Sequence, residues 1–413
     1  MKFRKHKLDN GLEIVAECND QAYSTAIGFF VRAGSRDETP EEAGLSHFLE
    51  HMTFKGTESR TADDVNRQFD EIGAHSNACT SEESTIFYAH LLPEHQTLTV
   101  EILGDILRPS LRAEDFETEK QVILEEISMY EDGPPFGADE RVRAIHYGDH
   151  PLANSVLGTV DSIEAMTIDR MRDYHTRRYA PSNVVLAAGG RVDFDRLVET
   201  VDRVCGEWDA KEAPRLLETP RTTDQRIEIE LMPRASQEYV MLLADAPDAS
   251  ASSRYAAQMA GVVLGDESGS RLFWEIVDKG RAEHASLGRY EFDDAGLFMT
   301  YLCCEPKKTS GNLKRLAKIF RKAALKGITD RELELSKSKL RSRIVMAGEQ
   351  PQGRMFAVGG DWLQRHEYLS IRDELNILDA IEQEQVDGVL QQYPLTSGTI
   401  LAIGPLESLD WPF

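Results

Sequence analysis

The chain has 413 residues, 41% hydrophobic and 29% charged, which is sufficient for two or more domains with substantial cores. Asp and Glu total 71 against 47 Lys and Arg, and the formal net charge of −24 argues against binding to nucleic acid, which requires a basic surface. No apolar run approaches the roughly 18 residues of a membrane span, and the basic N-terminus lacks the apolar stretch of a signal peptide. We therefore expect a cytoplasmic protein without a membrane segment.

The excess of acidic residues has two explanations. It can form an acidic cavity that steers basic peptides toward a site, or it can be spread over a solvated exterior, and the second is the more usual arrangement. The five cysteines are odd in number and form no C-x-x-C pair, which favours reduced thiols over a disulfide framework.

After a strand-like N-terminal segment, the first predicted helix carries His47, Glu50 and His51 in the pattern H-x-x-E-H. Positions four apart lie one turn apart on the same helix face, so both imidazoles can point at one metal ion, with Glu50 beside them. The neighbouring residues are mostly apolar, and Gly56 is a plausible end of the helical segment. Burying such polar groups unpaired is costly, and a zinc ion would satisfy all three.

A second helix is predicted over residues 114–132, and it offers the acid pair Glu125 and Glu126 as candidates for a third ligand. Neighbours on a helix point about 100° apart, so only one of the two can face inward. Glu126 shares a face with Glu119 and Ile123, and we predict that it is the ligand. Glu119 would orient a ligand from behind. A solvated helix face is the alternative for each acid and is favoured for Glu125.

These motifs resemble the inverzincin metallopeptidases, which include pitrilysin, insulin-degrading enzyme and the mitochondrial processing peptidase. The length matches the short, two-unit branch related to the processing peptidase. The resemblance implies one Zn²⁺ per chain, bound by His47, His51 and Glu126, with Glu50 as general base. It covers nearly the whole chain through further segments: Leu8–Ile14, Gly73–Ala78, His150–Leu152, Leu157–Thr159, Tyr179–Asn183, Ser270–Phe273 and Gly296–Phe298.

In the family, an Arg and a Tyr from the second half of the fold help to stabilise the oxyanion. Arg271 in Ser-Arg-Leu-Phe matches the Arg. The sequence departs from the family at the Tyr, where His284 stands. A histidine can still donate a hydrogen bond to an oxyanion, but it can equally be a polar strand residue. The departure leaves open whether the chain acts without a partner.

A strand is predicted over residues 73–80, and in the family the matching strand is an exposed edge to which the peptide substrate adds. Asn77 and Ala78 would contact the peptide backbone. Phe54 would line an apolar side-chain pocket, with a place in the core as the alternative.

The chain is predicted to be α+β, with two homologous units, each a mostly antiparallel sheet of five or six strands covered by helices. The predicted domains are 1–215, which binds zinc, and 216–413, which lacks the ligands, with a linker within 209–226. Ser270–Glu275 is expected to correspond to Ser46–Glu50. The resemblance also implies a homodimer, or a heterodimer with a related subunit, enclosing a chamber.

The predicted function is zinc-dependent endopeptidase activity on oligopeptides or unfolded segments. The alternative is a metal-bearing or scaffold subunit that needs a partner for activity. The joint presence of His47, Glu50, His51 and Glu126 argues against a pure scaffold, which has no need of them.

Overall fold

The computed structural model describes residues 1–133, 135, 137–215, 217 and 226–412, so that part of the predicted linker 209–226 lies outside the described residues. The strands are β1 (Lys2–Lys7), β2 (Glu13–Cys18), β3 (Thr25–Val31), β4 (His75–Thr80), β5 (Thr85–Leu91), β6 (Val184–Gly190), β7 (Arg226–Leu231), β8 (Glu238–Asp245), β9 (His284–Phe292), β10 (Ala295–Cys304) and β11 (Thr399–Gly404). The α-helices are α1 (Leu45–Thr53), α2 (Ala62–Glu71), α3 (Gln96–Ile106), α4 (Ala113–Asp132), α5 (Ala138–Tyr147), α6 (Val160–Ala165), α7 (Ile168–Arg178), α8 (Phe194–Cys205), α9 (Arg254–Gly265), α10 (Thr309–Lys326), α11 (Asp330–Gly348), α12 (Pro351–Arg365), α13 (Ile371–Asp379) and α14 (Gln383–Gln392).

The strands form two sheets, a six-stranded one in the order β1-β2-β6-β3-β5-β4 and a five-stranded one in the order β7-β11-β8-β10-β9. Only the β2–β6 and β7–β11 pairs are parallel among these strands. This arrangement confirms the predicted α+β class with two mostly antiparallel sheets.

The two sheets share one topology once β1 is set aside. In each, the first strand lies parallel to the last, and the second, fourth and third strands follow in that order. The repeated order supports the predicted internal duplication of the fold. By element order, however, α9 is the counterpart of α1, and the helical turn that follows Arg271 is the counterpart of α2. The expected match between Ser270–Glu275 and Ser46–Glu50 is therefore wrong by one helix.

Packing divides the chain into two compact units, one of Met1–Ser128, Asn154–Leu216 and Val345–Ser370, the other of Met129–Ala153, Leu217–Ile344 and Ile371–Phe413. The compact units exchange residues 129–153 and 345–370, so a single cut in the sequence does not separate them. The predicted domains 1–215 and 216–413, with zinc binding assigned to the first, remain a prediction.

In the first unit, the central strand β3 is buried along its whole length, and its alternate side chains serve two cores. Ile27 and Phe29 pack with apolar residues of α1, α3, α4, α7 and α8. Phe30 lies on the opposite face with Met355 and Val358 of α12. Gly359 lets α12 approach closely, since a Cβ there would lie 2.5 Å from the Phe30 ring.

The second unit repeats this two-sided burial. Leu242 of β8 joins the core formed with α9, α10 and α14, while its neighbour Leu243 packs on the other face with Val142 of α5. The exchanged segments α5 and α12 therefore each cover one sheet face. Within the described part of the chain, no helix has both the length and the apolar character to cross a bilayer.

Candidate metal centre

Helix α1 holds the three residues of the H-x-x-E-H motif close together. Its apolar residues Leu45, Phe48, Leu49 and Met52 are buried in the core, which fixes the rotation of the helix. The His47 and His51 rings consequently lie side by side, with their centroids 4.7 Å apart. The predicted helical spacing of the two histidines is present in the structure.

The N-terminus of α1 is fixed by Gly44 and by a buried acid, Glu38. Gly44 has φ +87°, and a Cβ at this position would lie 2.5 Å from the Leu157 carbonyl oxygen, so the turn requires glycine. The Glu38 carboxyl group accepts hydrogen bonds from the backbone N–H groups of Gly44 (2.8 Å) and Ser46 (2.6 Å). Glu38 thus caps the helix that carries the motif.

Glu38 should make stability depend on pH. Burial raises the pKa of Glu38 to about 8 from an ordinary 4.5. The folded chain therefore retains a proton that the unfolded chain loses, and this contribution to stability falls as pH rises from about 4.5 to 8. Glu38→Gln removes this titration but places an amide N–H₂ where an acceptor is needed, at a cost of about 1–3 kcal/mol at pH 5.

Urea unfolding at several pH values between 5 and 8 would measure the effect. Wild type should have the larger free energy of unfolding at pH 5. Its advantage over Glu38→Gln should decrease as pH rises, because only wild type loses stability through this titration. A gap that stays constant across this range would mean that Glu38 does not hold the extra proton.

Glu126 of α4 completes a group of three possible ligands. Its Oε2 atom lies 3.8 Å from His47 Nε2 and 3.9 Å from His51 Nε2. Among the described residues, these three form the one group of His, Cys, Asp and Glu whose ligand atoms lie within 4.8 Å of one another. Glu125 is exposed, as the helix geometry predicts for the neighbour of an inward-facing residue.

The chemistry of this group fits zinc. Two imidazole nitrogens and one carboxylate oxygen are a known catalytic zinc set that leaves a fourth position open. The distances from Glu126 Oε2 to the two histidine Nε2 atoms exceed hydrogen-bond length. The three atoms therefore lie close together without forming hydrogen bonds to one another. Burial, helped by the nearby His51, lowers the pKa of His47 to about 4, which keeps this ring neutral and able to bind a metal.

Glu119 lies behind His51, where the sequence predicted an orienting acid. Its Oε1 atom is 2.8 Å from His51 Nδ1, which leaves Nε2 directed toward the ligand group. Burial alone would lower the pKa of His51, but the hydrogen bond and charge of Glu119 outweigh it and raise the value. Burial alone would raise the pKa of Glu119. Its hydrogen bonds to His51 and Lys55 outweigh burial and lower the pKa of Glu119 below its ordinary value.

Lys55 and Thr80 are neighbours of the group that sequence reasoning missed. Lys55 Nζ lies 2.5 Å from Glu119 Oε2, so it neutralises the buried acid behind His51. The Thr80 hydroxyl donates a 2.6 Å hydrogen bond to Glu50 Oε2. Burial raises the pKa of Glu50, and the Thr80 hydrogen bond opposes this shift. Thr80 belongs to β4, and only the folded chain brings it to α1.

The predicted peptide-binding residues lie on and near β4, which is an edge strand of its sheet. Asn77 is exposed, and its Oδ1 atom accepts a hydrogen bond from the Ala78 N–H (2.9 Å). Ala78 is buried in the core. Phe54 is partly buried against that core, with its ring centroid 6.3 Å from Phe87. The edge position suits strand addition, and the roles of these residues stay predictions.

Arg271 and His284 lie in the second unit, whereas the ligand group lies in the first. Arg271 makes a bidentate ion pair with Glu332, with distances of 2.7 and 2.8 Å, and also donates to the Gly327 carbonyl. His284 begins β9 and lies 3.1 Å from the Ser286 hydroxyl. Both residues are thus engaged locally, and their catalytic roles stay predictions.

Known proteins of similar sequence and fold agree with this description. Residues 13–160 match the family model for insulinase (peptidase family M16), and residues 165–340 match the model for the peptidase M16 inactive domain. An uncharacterized zinc protease of Mycobacterium leprae is 33% identical over 97% of this chain and 91% of its own length. The uncharacterized zinc protease YmxG of Bacillus subtilis is 31% identical over 97% of this chain and 98% of its own length.

Two solved structures share the fold. A protease from Helicobacter pylori superposes with a TM-score of 0.89 at 22% identity, covering 97% of this chain and 99% of that one. A peptidase M16 inactive domain from Pseudomonas fluorescens gives a TM-score of 0.91 at 19% identity, covering 99% of both chains. The predicted inverzincin resemblance and two-unit architecture are confirmed, and the chain belongs to the M16 family of peptidases.

Proposed function

We propose that this chain is a zinc-dependent endopeptidase that cuts oligopeptides or unfolded segments. The observation that carries the proposal is the convergence of His47, His51 and Glu126 beside Glu50. The names of the mycobacterial and Bacillus relatives, which call them zinc proteases, support the choice of metal and reaction. One Zn²⁺ per chain would be held by the two imidazoles and the Glu126 carboxylate.

The proposed mechanism assigns proton transfer to Glu50. Zinc bound at this group would supply a Lewis acid that polarises a peptide carbonyl and lowers the pKa of water. Glu50 accepts a proton from the attacking water and passes it to the leaving amine. Its raised pKa suits this exchange, because a carboxylate that binds a proton more tightly is a better base. Glu119 and Lys55 hold the His51 ring in place.

Substrate binding is proposed to occur on the open edge of β4. A peptide in extended conformation would form main-chain hydrogen bonds at Asn77 and Ala78, which gives affinity with little dependence on sequence. Phe54 would contact a substrate side chain. Arg271 and His284 are the proposed oxyanion donors from the second half of the fold.

Metal dependence tests the proposal. Treatment with a chelator should abolish cleavage of an unstructured peptide, and zinc should restore it with saturation near one equivalent per chain. Cleavage that survives complete removal of metal would contradict the zinc mechanism. Full activity at two equivalents but not at one would contradict the single site.

A metal-bearing subunit that needs a partner is the second candidate. His284 stands where the family has Tyr, and Arg271 is already paired with Glu332, so the second half can be incomplete as a source of oxyanion donors. We extend the proposal to a dimer, either of two copies or with a related subunit, enclosing a chamber. The free state of all five cysteines agrees with the proposed cytoplasmic location. A zinc-loaded chain that is inactive alone and active with a related subunit would decide for this candidate.

Thr80 is expected to support catalysis by positioning Glu50. Thr80→Val removes the 2.6 Å hydrogen bond while nearly keeping the shape of the side chain. A hydrogen bond to a charged group contributes about 1.5–3 kcal/mol, so kcat should fall by about ten- to a hundredfold. Steady-state kinetics should show the loss in kcat, with zinc content unchanged.

Thr80→Ser is the matched control, because it retains the hydroxyl and should restore most of the rate. If Thr80→Ser were as slow as Thr80→Val, the loss would come from packing and the positioning role would be wrong.

A further inference from the structure

Residues 306–329 have a charge opposite to that of the whole chain. This segment contains eight Lys and Arg residues and no Asp or Glu, whereas acids outnumber bases by 71 to 47 in the complete sequence. Most of the segment is α10, whose buried face includes Leu313, Leu316 and Phe320. Six of the eight basic residues lie on α10, and none of them belongs to its buried face.

Part of this basic surface lines a cavity of about 650 Å³ within the second unit. Six cationic side chains and two carboxylates contribute to its walls, together with Trp274, which is 54% exposed. A cavity of this size accommodates a short segment of a ligand rather than a folded partner. The cationic residues are Arg271, Arg281, Arg315, Lys318, Lys322 and Lys326.

The cavity contains more positive charge than its own acids neutralise. Glu332 is used by its bidentate pair with Arg271, and Glu275 is paired with Lys279 at 3.1 Å. Within the described residues, no carboxylate lies within 4.0 Å of the amines of Lys318, Lys322 and Lys326, three exposed side chains.

Arg271 lines the cavity but keeps part of its guanidinium group buried. Its Nη1 atom is buried and has no hydrogen-bond partner among the described residues, although Nε and Nη2 are both bonded. A donor buried to this extent is out of reach of a ligand in the cavity, so the positive charge that a ligand meets comes from the exposed lysines.

We propose that the cavity binds an acidic segment of a peptide in extended conformation. Lys318, Lys322 and Lys326 are four residues apart on α10, which places them about 6 Å apart along the helix axis. Alternate side chains of an extended peptide are about 6.6 Å apart, so carboxylates at every second position can meet these lysines in turn. Trp274 adds an exposed apolar surface to the cavity wall. The inference rests on the proposed function, because a peptidase has peptides as substrates.

A binding experiment on the full-length, zinc-loaded Glu50→Gln variant tests the proposal without requiring cleavage. The probe is a fluorescently labelled, end-capped peptide of alternating Glu and Ser, measured by anisotropy beside peptides of alternating Gln and Ser and of alternating Lys and Ser. The Glu peptide should bind at least about tenfold more tightly than either other peptide, with an affinity that falls as salt is raised.

Paired charge reversals locate the site. Lys318→Glu with Lys322→Glu should weaken binding of the Glu peptide by about tenfold or more. Lys307→Glu with Lys314→Glu is the matched control, since it makes the same change of charge at exposed positions of this basic segment outside the cavity. The control pair should change the affinity by less than about twofold.

Three results would overturn the proposal: no preference for the Glu peptide, equal losses from both double variants, or tighter binding of inorganic tripolyphosphate than of the peptide at this cavity. Because the assay measures binding alone, a failed peptidase assay beside a positive binding result would count against the proposed function only. The reverse pattern would count against the cavity only.

Discussion

Glu126→Gln is expected to reduce zinc affinity by at least about 100-fold and to abolish peptide cleavage at ordinary zinc concentrations. Loss of a residue that merely orients a zinc ligand costs about 10- to 100-fold in metal affinity, and loss of a ligand should cost at least as much. Glutamine retains the shape of the side chain but not the charge that lies 3.8 and 3.9 Å from the two histidine nitrogens. Zinc titration against a competing chelator would measure the change.

Glu125→Gln is the control, because it makes the same chemical change one residue away on an exposed position of α4. It should leave zinc affinity and cleavage within about twofold of wild type, as surface substitutions usually do. Normal zinc binding by Glu126→Gln, or equal losses in the two variants, would remove Glu126 from the ligand set.

Glu50→Gln is expected to lower kcat by about 10²- to 10⁴-fold, which is the usual contribution of a general base. Glu50 is not among the three converging ligand atoms, so zinc content should stay near that of wild type. An amide cannot accept the proton from water, although it can still accept the Thr80 hydrogen bond. A quenched fluorescent peptide would give the rate, and metal analysis of the same sample would give the zinc content.

The combination of the two readouts separates catalysis from metal binding. Loss of both activity and zinc in Glu50→Gln would make Glu50 a determinant of the metal site rather than the base. Retention of near-normal kcat with zinc bound would contradict the assigned role directly.

The local parts of the fold could be predicted from the sequence. The helix predicted over 114–132 is α4, Ala113–Asp132, because its charged and apolar residues repeat with the helical period. The strand predicted over residues 73–80 contains β4, His75–Thr80. The strand order of the two sheets could not be predicted in this way, because β2 pairs with β6 across about 170 residues and nothing local specifies such a pairing.

The exchange of α5 and α12 between the halves was also beyond sequence reasoning. Both helices have apolar residues at helical spacing, which shows that each buries a face. The pattern does not say against which sheet. Val142 packs on the second sheet and Met355 on the first, and only the complete fold determines these choices.

Some residues of the candidate site could likewise be predicted from the sequence, and others could not. Two residues four apart on one helix, or seven apart as Glu119 and Glu126 are, can be placed on one face from the sequence alone. Thr80 could not be found this way, because it reaches Glu50 from a separate strand. Lys55 lies one turn after His51, yet its bond to Glu119 depends on how α1 and α4 pack. The anion-binding cavity has a visible sequence signal, the acid-free segment 306–329.

Incubation of the zinc-loaded chain, alone, with a mixed library of unstructured peptides tests the central claim most directly. Mass spectrometry would identify the cleavage sites, with the chelator-treated chain as control. The account predicts internal cuts that appear only with zinc and that also give the side-chain preference. An absence of cuts from the zinc-loaded chain would contradict a self-sufficient endopeptidase and leave the partner-dependent subunit as the function of this protein.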